Sequence, residues 1–277
     1  MTWHFLKNNN DHSLATEKLA GLLQNLRNLI GESNGDPAIS SNRYLMWTEE
    51  AELRLREIYQ DREASQKIHS ERYWQIRAIS ASTHRPHSLI RLEIEDKIDL
   101  ISALIDQMEH YRNILTAKEN ESLILLDTNV LVHGKPFEMV DWQKLAGSKY
   151  ACLVFPLAVI DELDKLKDTK QHKARVPLAS LDRLISHTNP FQRARARDGV
   201  HIQITDEPLG HTRLSRVDDE IIRQASYFQS VSGKNLKVIT RDRGMKFRAE
   251  FSGISAEILP KELERSKTQE GENDGKQ

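Results

Sequence analysis

The hydrophobic positions change rhythm near residue 120, and that change organises the chain. Before it, apolar residues recur three and four apart, the spacing of helices with one buried face. Leu19, Leu22, Leu23, Leu26, Leu29 and Ile30 mark a first helix that Gly31 can stop. Ser41 or Asn42 is placed to cap a second helix carrying Tyr44, Trp47, Leu53, Leu55 and Ile58. A third segment surrounds Ile68, Tyr73, Trp74 and Ile76. The longest follows Pro86 and runs from Leu89 through Ile94, Ile101, Leu104 and Met108 to Leu115 with one apolar face. No strand pattern interrupts residues 1–119.

After Ala117–Glu121, short apolar runs alternate with helical spacing, the signature of a parallel sheet with crossover helices. The pattern predicts strands near 122–127, 150–155, 200–205, 236–240 and 255–259. It predicts helices over 139–146, 157–167, 174–188, 217–230 and 243–250. The fold class is therefore α/β, a central parallel sheet with flanking helices, preceded by an all-helical N-terminal region. Three parts follow: a helical region 1–119, an α/β domain 120–262, and a tail 263–277. The tail is rich in Lys, Glu, Ser, Gly and Asn and is expected to be disordered.

Composition narrows the class only a little. A hydrophobic content of 38% supports a packed core, and a net charge of -1 gives no global sign of a nucleic-acid partner. Any such partner must be met by local patches. The one cysteine, Cys152, lies in an apolar run and has no thiolate partner for a disulfide or zinc. No apolar run approaches the ~20 residues that span a bilayer. The start lacks a basic-then-apolar leader, so the expectation is a cytoplasmic protein with no membrane partner.

The chemistry lies in four carboxylates at the ends of strand-like runs or helix starts. Asp127 closes Leu123–Leu126, Glu162 sits in Val159-Ile160-Asp161-Glu162-Leu163, and Asp242 follows Val238-Ile239-Thr240. The fourth is Asp219 or its neighbour Asp218, ahead of Ile221-Ile222. Acids at the carboxyl ends of strands in an open α/β sheet converge on one crevice. Unpaired carboxylates crowded there repel one another, and a hard divalent cation relieves the repulsion. One such acid alone is most often a turn or cap residue; four in order point to a metal-dependent phosphodiesterase site.

Leu125-Leu126-Asp127-Thr128-Asn129, Val159-Ile160-Asp161-Glu162-Leu163-Asp164, Asp219-Glu220-Ile221-Ile222 and Val238-Ile239-Thr240-Arg241-Asp242 together resemble the PIN domain, a family of metal-dependent ribonucleases. The resemblance covers residues ~120–260 and implies that Asp127, Glu162, Asp219 and Asp242 are the catalytic, metal-holding acids. It implies Mg²⁺ or Mn²⁺ as cofactor, with metal-activated water attacking the phosphodiester. Thr128 and Thr240 are read as orienting carboxylates through hydrogen bonds, and Asn129 as fixing the turn after the first strand. Asp219 fits the family spacing better, while Asp218 suits an N-cap.

Cations gather between Lys165 and Arg197. Of these, Lys165, Lys167, Lys170, Lys173 and Arg175 follow the Glu162 helix and are expected to meet a phosphate backbone, as are Arg241 and Arg243 around Asp242. His133 lies six residues past Asp127 and is more often a structural residue. His84 and His87 lack partners for zinc, and the spacing of Trp47, Tyr73 and Trp74 favours core packing over base stacking.

The leading expectation is a metal-dependent endoribonuclease acting on single-stranded or flexible RNA, in a toxin, defence or RNA-processing setting. The alternatives are a catalytically silent PIN-fold module that binds RNA or protein, and a metal-dependent nuclease acting on DNA. The helical region is expected to serve dimerisation, regulation or partner binding, through the apolar face of its long helix.

Overall fold

In the computed structural model, described residues are 6–7, 12–32, 35–80, 82–116, 118–168, 172–186, 192–208 and 211–265. The described residues divide into two compact units, with the boundary between His110 and Tyr111.

The first unit is helical. It comprises α1 (His12–Glu32), α2 (Pro37–Ile58), α3 (Glu63–Gln66), α4 (Glu71–Arg77) and most of α5 (Pro86–Leu115). Helix α2 starts earlier than its pattern predicts: Asp36 caps it by accepting from the Ala38 amide at 2.8 Å, and Pro37 fills the first turn. Ser41 and Asn42, the expected caps, lie inside the helix. Leu19, Leu22 and Leu26 of α1, Tyr44, Trp47 and Leu55 of α2, and Ile94, Ile101 and Leu104 of α5 share one core. The apolar face of α5, expected to be free for a partner, is thus used within the unit itself. Glu93 is buried in that core, accepting from Tyr44 Oη (2.9 Å), Ser70 Oγ (2.7 Å) and Arg72 Nε (3.2 Å), with Lys97 Nζ at 3.0 Å. A buried charge persists only with such compensation.

The second unit is α/β. Its six strands are β1 (Glu121–Leu126), β2 (Tyr150–Pro156), β3 (Ala194–Arg197), β4 (Val200–Thr205), β5 (Leu236–Thr240) and β6 (Ser255–Ile258). They form one sheet in the order β3-β4-β2-β1-β5-β6, parallel except for β3. Both faces of the central strands are covered, so Leu123–Leu126 and Ala151–Phe155 are continuous buried runs rather than alternating ones. The flanking helices are α6 (Thr128–His133), α7 (Trp142–Ala146), α8 (Leu157–Asp168), α9 (His172–Ile185), α10 (Val217–Ser232) and α11 (Arg243–Phe251).

Two elements escape the sequence pattern. Strand β3 is an antiparallel edge strand of alternating Ala and Arg, and α6 is a single short turn directly after Asp127. The arginines of the β3 region are ion-paired: Arg193 with Glu121, Arg195 with Asp198, and Arg197 with Asp141. At the other end, Leu263 to Arg265, the start of the segment expected to be disordered, is held against α6. Lys135 N–H donates to Leu263 O at 2.8 Å, and Glu264 bridges Gly134. The rest of that segment, 266–277, lies outside the described residues.

The topology fixes where a site belongs. From β1 the chain moves to β2 and outward to β4, then returns to β5 on the opposite side of β1. The strand order therefore reverses between β1 and β5. At such a reversal the connections diverge and leave a crevice outside the carboxyl ends of the two strands.

Candidate functional site

Asp127 occupies that crevice. It follows the last residue of β1, its amide donates to Ile239 O at 3.0 Å, and it is 1% exposed. On the neighbouring strand, the Thr240 hydroxyl donates to Asp127 Oδ2 at 2.9 Å and accepts from the Asp242 amide at 3.0 Å. The sheet register thus sets one carboxylate oxygen through one hydroxyl. Burial pushes the Asp127 carboxyl up to about 6; the Thr240 bond opposes the rise, while Asp218 and Glu162 add to it. The charged side chains acting on it most are two other carboxylates. An acid held so needs a counter-charge.

Glu162 comes from the second turn of α8. Thr128, the first residue of α6, donates its hydroxyl to Glu162 Oε2 at 2.5 Å. The neighbouring acids of α8 have other partners: Asp161 meets Arg213 at 2.7 Å, and Asp164 pairs with Lys167. Glu162 is therefore the acid of this helix that faces Asp127, as the sequence pattern expects.

Asp218 and Asp219 lie in the first turn of α10, where their charge suits the positive end of the helix. The cap position belongs to Arg216, so Asp218 does not fill the capping role read from the sequence. Asp218 adds its charge to the upward push on the Asp127 carboxyl. Arg248 of α11 grips both, with Nη2 at 2.8 Å from Asp218 and Nε at 3.0 Å from Asp219. Gly244 makes room for that reach, since a Cβ there would stand 3.2 Å from both Arg248 Nη1 and Asp242 Oδ1. Arg216 adds a looser contact to Asp219 at 3.7 Å. Neither arginine carried a signal in the sequence, because each matters only through the helix packing that brings it to the acids.

Asp242 stands at the N-terminus of α11. Its carboxylate accepts from the Gly244 amide at 2.6 Å and caps α11, leaving the side chain exposed. Asn129 is exposed in the first turn of α6. Among the described residues, no three His, Cys, Asp or Glu side chains stand close enough to enclose a metal ion as placed. The donor set nevertheless suits a hard cation: oxygen ligands, a buried carboxyl pushed upward, and hydroxyls that hold two of the carboxylates in place.

The cations divide into two groups. Lys173, Arg241 and Arg265 all lower the affinity of His133 for its proton, after burial, and so lie together at the end of α6. Arg241 also pairs with Glu264 at 3.1 Å. Arg265 was not among the residues read from the sequence. Lys165 is exposed three residues after Glu162, on the same side of α8. Arg243 is exposed at the start of α11. Lys167 and Arg175 instead line a groove of about 450 Å³ between α8 and α9, with Ile160, Leu178 and Asp182. Lys170 lies outside the described residues.

The segment leading into α10 is tied down by Glu220. That buried carboxylate accepts from the Leu214 amide (3.0 Å) and Gln224 (2.8 Å), and meets His211 Nε2 at 2.8 Å. Arg213 links Glu207 to Asp161 and so joins this segment to α8.

A family model described as PIN domain matches residues 124–259. No curated protein matches the chain. Among solved structures, a domain of a functionally unknown protein from Methanocaldococcus jannaschii DSM 2661 is similar at 18% identity, over 50% of this chain and 91% of that one, with a TM-score of 0.35. No helix among the described residues is long and apolar enough to cross a membrane.

Proposed function

We propose that this chain, whose residues 124–259 match the PIN domain model, a nuclease-type fold, is a divalent-metal-dependent nuclease that hydrolyses RNA phosphodiester bonds. The observation that carries the proposal is the buried Asp127 carboxyl at the β1/β5 crevice, pushed up to about 6 with Glu162 and Asp218 as its charged neighbours. PIN domains generally use divalent metals, and this is the environment a hard cation relieves.

Asp127, Glu162 and Asp218 are the residues that would hold Mg²⁺ or Mn²⁺. When bound, such an ion supplies Lewis-acid polarisation of water and of a phosphoryl oxygen. The remaining work belongs to the chain. Thr240 fixes Oδ2 of Asp127 and Thr128 fixes Oε2 of Glu162, so the acids meet their charge without further ordering. Lys165, Lys173, Arg241, Arg243 and Arg265 border this region and would contact phosphates, which positions a strand without reading its sequence. RNA as substrate, with 5′-phosphate and 3′-hydroxyl products, rests on the family resemblance.

The test is cleavage of a mixed-sequence single-stranded RNA, and of matched DNA, by wild type and Asp127→Asn with Mn²⁺ or EDTA. Cutting of RNA by wild type only, and only with metal, supports the proposal. Cutting of DNA alone would replace the substrate, and metal-independent cutting would remove the mechanism.

A second reading has one observation behind it. Arg248 already neutralises Asp218 and Asp219, which suits a PIN-fold module that binds RNA or protein without cutting it. RNA binding by a folded wild type that never cuts would favour that reading.

A further inference from the structure

The C-terminal end of α6 gathers cations from three parts of the second unit. Lys173 comes from the first turn of α9, which packs against α6; Arg241 directly follows β5, and Arg265 closes the segment after Leu263. His133, the last residue of α6, stands among them, and all four are partly buried. Burial, and after it Arg241, Lys173 and Arg265, hold the His133 imidazole below its ordinary value; Glu264 is the carboxylate that opposes them. Glu264 meets Arg241 through Oε1, with Nε and Nη2 both at 3.1 Å. Around a neutral imidazole, three cations thus share one carboxylate.

Arg265 is the cation of this group that lacks a carboxylate. Its amide donates to His133 O at 3.0 Å and its Nε to Gly134 O at 2.8 Å, so the backbone and inner edge of the guanidinium cap α6. Its two terminal amino groups meet no carboxylate among the described residues, and burial alone pushes the group down from its ordinary value. A partly buried charge without a counter-charge is costly until an anion completes it. Gly134 makes the seat possible, since a Cβ there would stand 2.5 Å from Val130 O. Three carbonyls at this helix end are already engaged, Val130 O by the Gly134 amide at 2.8 Å and the other two by Arg265. That weakens the repulsion an anion would meet at the negative end of a helix.

We propose that His133, Lys173, Arg241 and Arg265 form a binding site for a phosphate monoester at the end of an RNA strand, beside the crevice that holds Asp127. Charge selects the monoester. Three cations against one carboxylate leave about two positive charges, which match the ~1.5–2 negative charges of a terminal phosphate better than the single charge of a backbone diester. The outer edge of the Arg265 fork suits phosphate oxygens, and neutral His133 has a ring N–H to add. Asp127 precedes α6 and His133 ends it, so at ~1.5 Å per residue they stand on the order of 9 Å apart. One short strand can therefore seat its end here while its backbone crosses the crevice. The inference rests on RNA being the substrate and adds that the strand is engaged by a phosphorylated end. A 5′- and a 3′-phosphate present the same chemical group, and the experiment tells them apart.

The test is fluorescence anisotropy of the full chain with a short mixed-sequence RNA ending in a 5′-phosphate, a 3′-phosphate or hydroxyls alone. Titrations are run in EDTA, so binding is read without cleavage. Wild type should bind one phosphorylated form ~10-fold more tightly than the hydroxyl form, the gain expected of charge-assisted contacts to the end group. Inorganic phosphate should erase that difference by competition. Arg265→Gln should lose the preference and still bind hydroxyl-ended RNA within ~2-fold of wild type. Because Arg265 also caps α6, Lys173→Gln on α9 is the second variant and should reduce the preference in the same way; circular dichroism confirms that both fold. Equal binding of the three RNAs, no binding of any, or a preference that survives both variants overturns the proposal. Cleavage with Mn²⁺ is scored separately. A chain that cuts RNA but ignores its ends keeps the nuclease reading and loses this site; end-selective binding without any cutting keeps the site and loses the nuclease.

Discussion

Thr240 and Asp127 are joined across two parallel strands by a 2.9 Å hydrogen bond from a hydroxyl to a buried carboxylate oxygen. The same hydroxyl accepts the amide of Asp242 at 3.0 Å, so both its donor and acceptor capacities are used. Its role is orientation. Thr240→Val keeps the shape of the residue in the sheet and removes the hydroxyl. Metal affinity or cleavage is expected to fall ~10–100-fold, the usual loss when a partner of a metal-holding side chain is deleted. Thr240→Ser should restore most of it. A Mn²⁺ titration of cleavage separates a shift in metal requirement from a fall in maximal rate, and an unchanged titration for Thr240→Val would remove Thr240 from the site.

Asp218 and Asp219 offer a sharper comparison, being adjacent and sharing the grip of Arg248. Because Asp218 acts on Asp127 and Asp219 does not rank among its main influences, Asp218→Asn should cost far more activity. We expect a loss of ~100-fold or more for Asp218→Asn and under ~10-fold for Asp219→Asn, the former removing a charge from the metal site. Equal losses, or the reverse order, would return the third acid to Asp219, as family spacing suggests.

These two comparisons also show what was legible beforehand. The places of Asp127 and Glu162 in the fold were readable because one directly follows the apolar run of β1 and the other lies in the helix that follows the apolar run of β2. The sheet and its helices were readable for the same reason. Strand β3 was not, because Ala194–Arg197 has no apolar run; its pairing with β4 places it, not its own side chains. Asp218 and Asp219 could not be told apart either, since only one residue of helical rotation separates them at the start of α10. Arg248 stands 30 residues from Asp218 and meets it through the packing of α10 with α11, which no local pattern encodes. The capping of α11 by Asp242 was not read from the sequence, because the Gly244 amide it accepts from lies in a turn with no apolar periodicity.

Arg248 has a consequence for stability. Its guanidinium balances two acids beside an already crowded carboxyl, so Arg248→Gln should leave Asp218 and Asp219 to repel each other and Asp127. The apo protein should lose on the order of 1–2 kcal/mol, discounted because all three partners are partly solvated. Mn²⁺ should return much of that loss by supplying the missing positive charge, giving a larger metal-induced rise in Tm than in wild type. Thermal unfolding with Mn²⁺ and with EDTA measures both. An equal metal-induced rise in the two proteins would mean that Arg248 and the metal do not share the same acids.

Asp127 gives the pH dependence. Its carboxyl is pushed up to about 6 in the folded chain, mainly by burial, whereas the unfolded chain keeps the ordinary carboxylate value near ~4. The folded state therefore holds the proton more tightly. The stability this confers is fully present below the unfolded value and is lost as pH rises through about 6. By about pH 8 the ionised carboxylate costs the metal-free fold up to ~3 kcal/mol. The amide introduced by Asp127→Asn would carry no such charge while keeping an oxygen to accept the Thr240 hydroxyl. In EDTA, Asp127→Asn should thus be more stable than wild type near pH 8, with the gap narrowing steadily toward about pH 5. Adding Mn²⁺ should narrow it from the other side, by stabilising wild type alone. Urea unfolding across that pH range, with and without metal, reads each part. A constant gap across the range would mean that Asp127 is not the strained acid, and the site built around it would have to be redrawn.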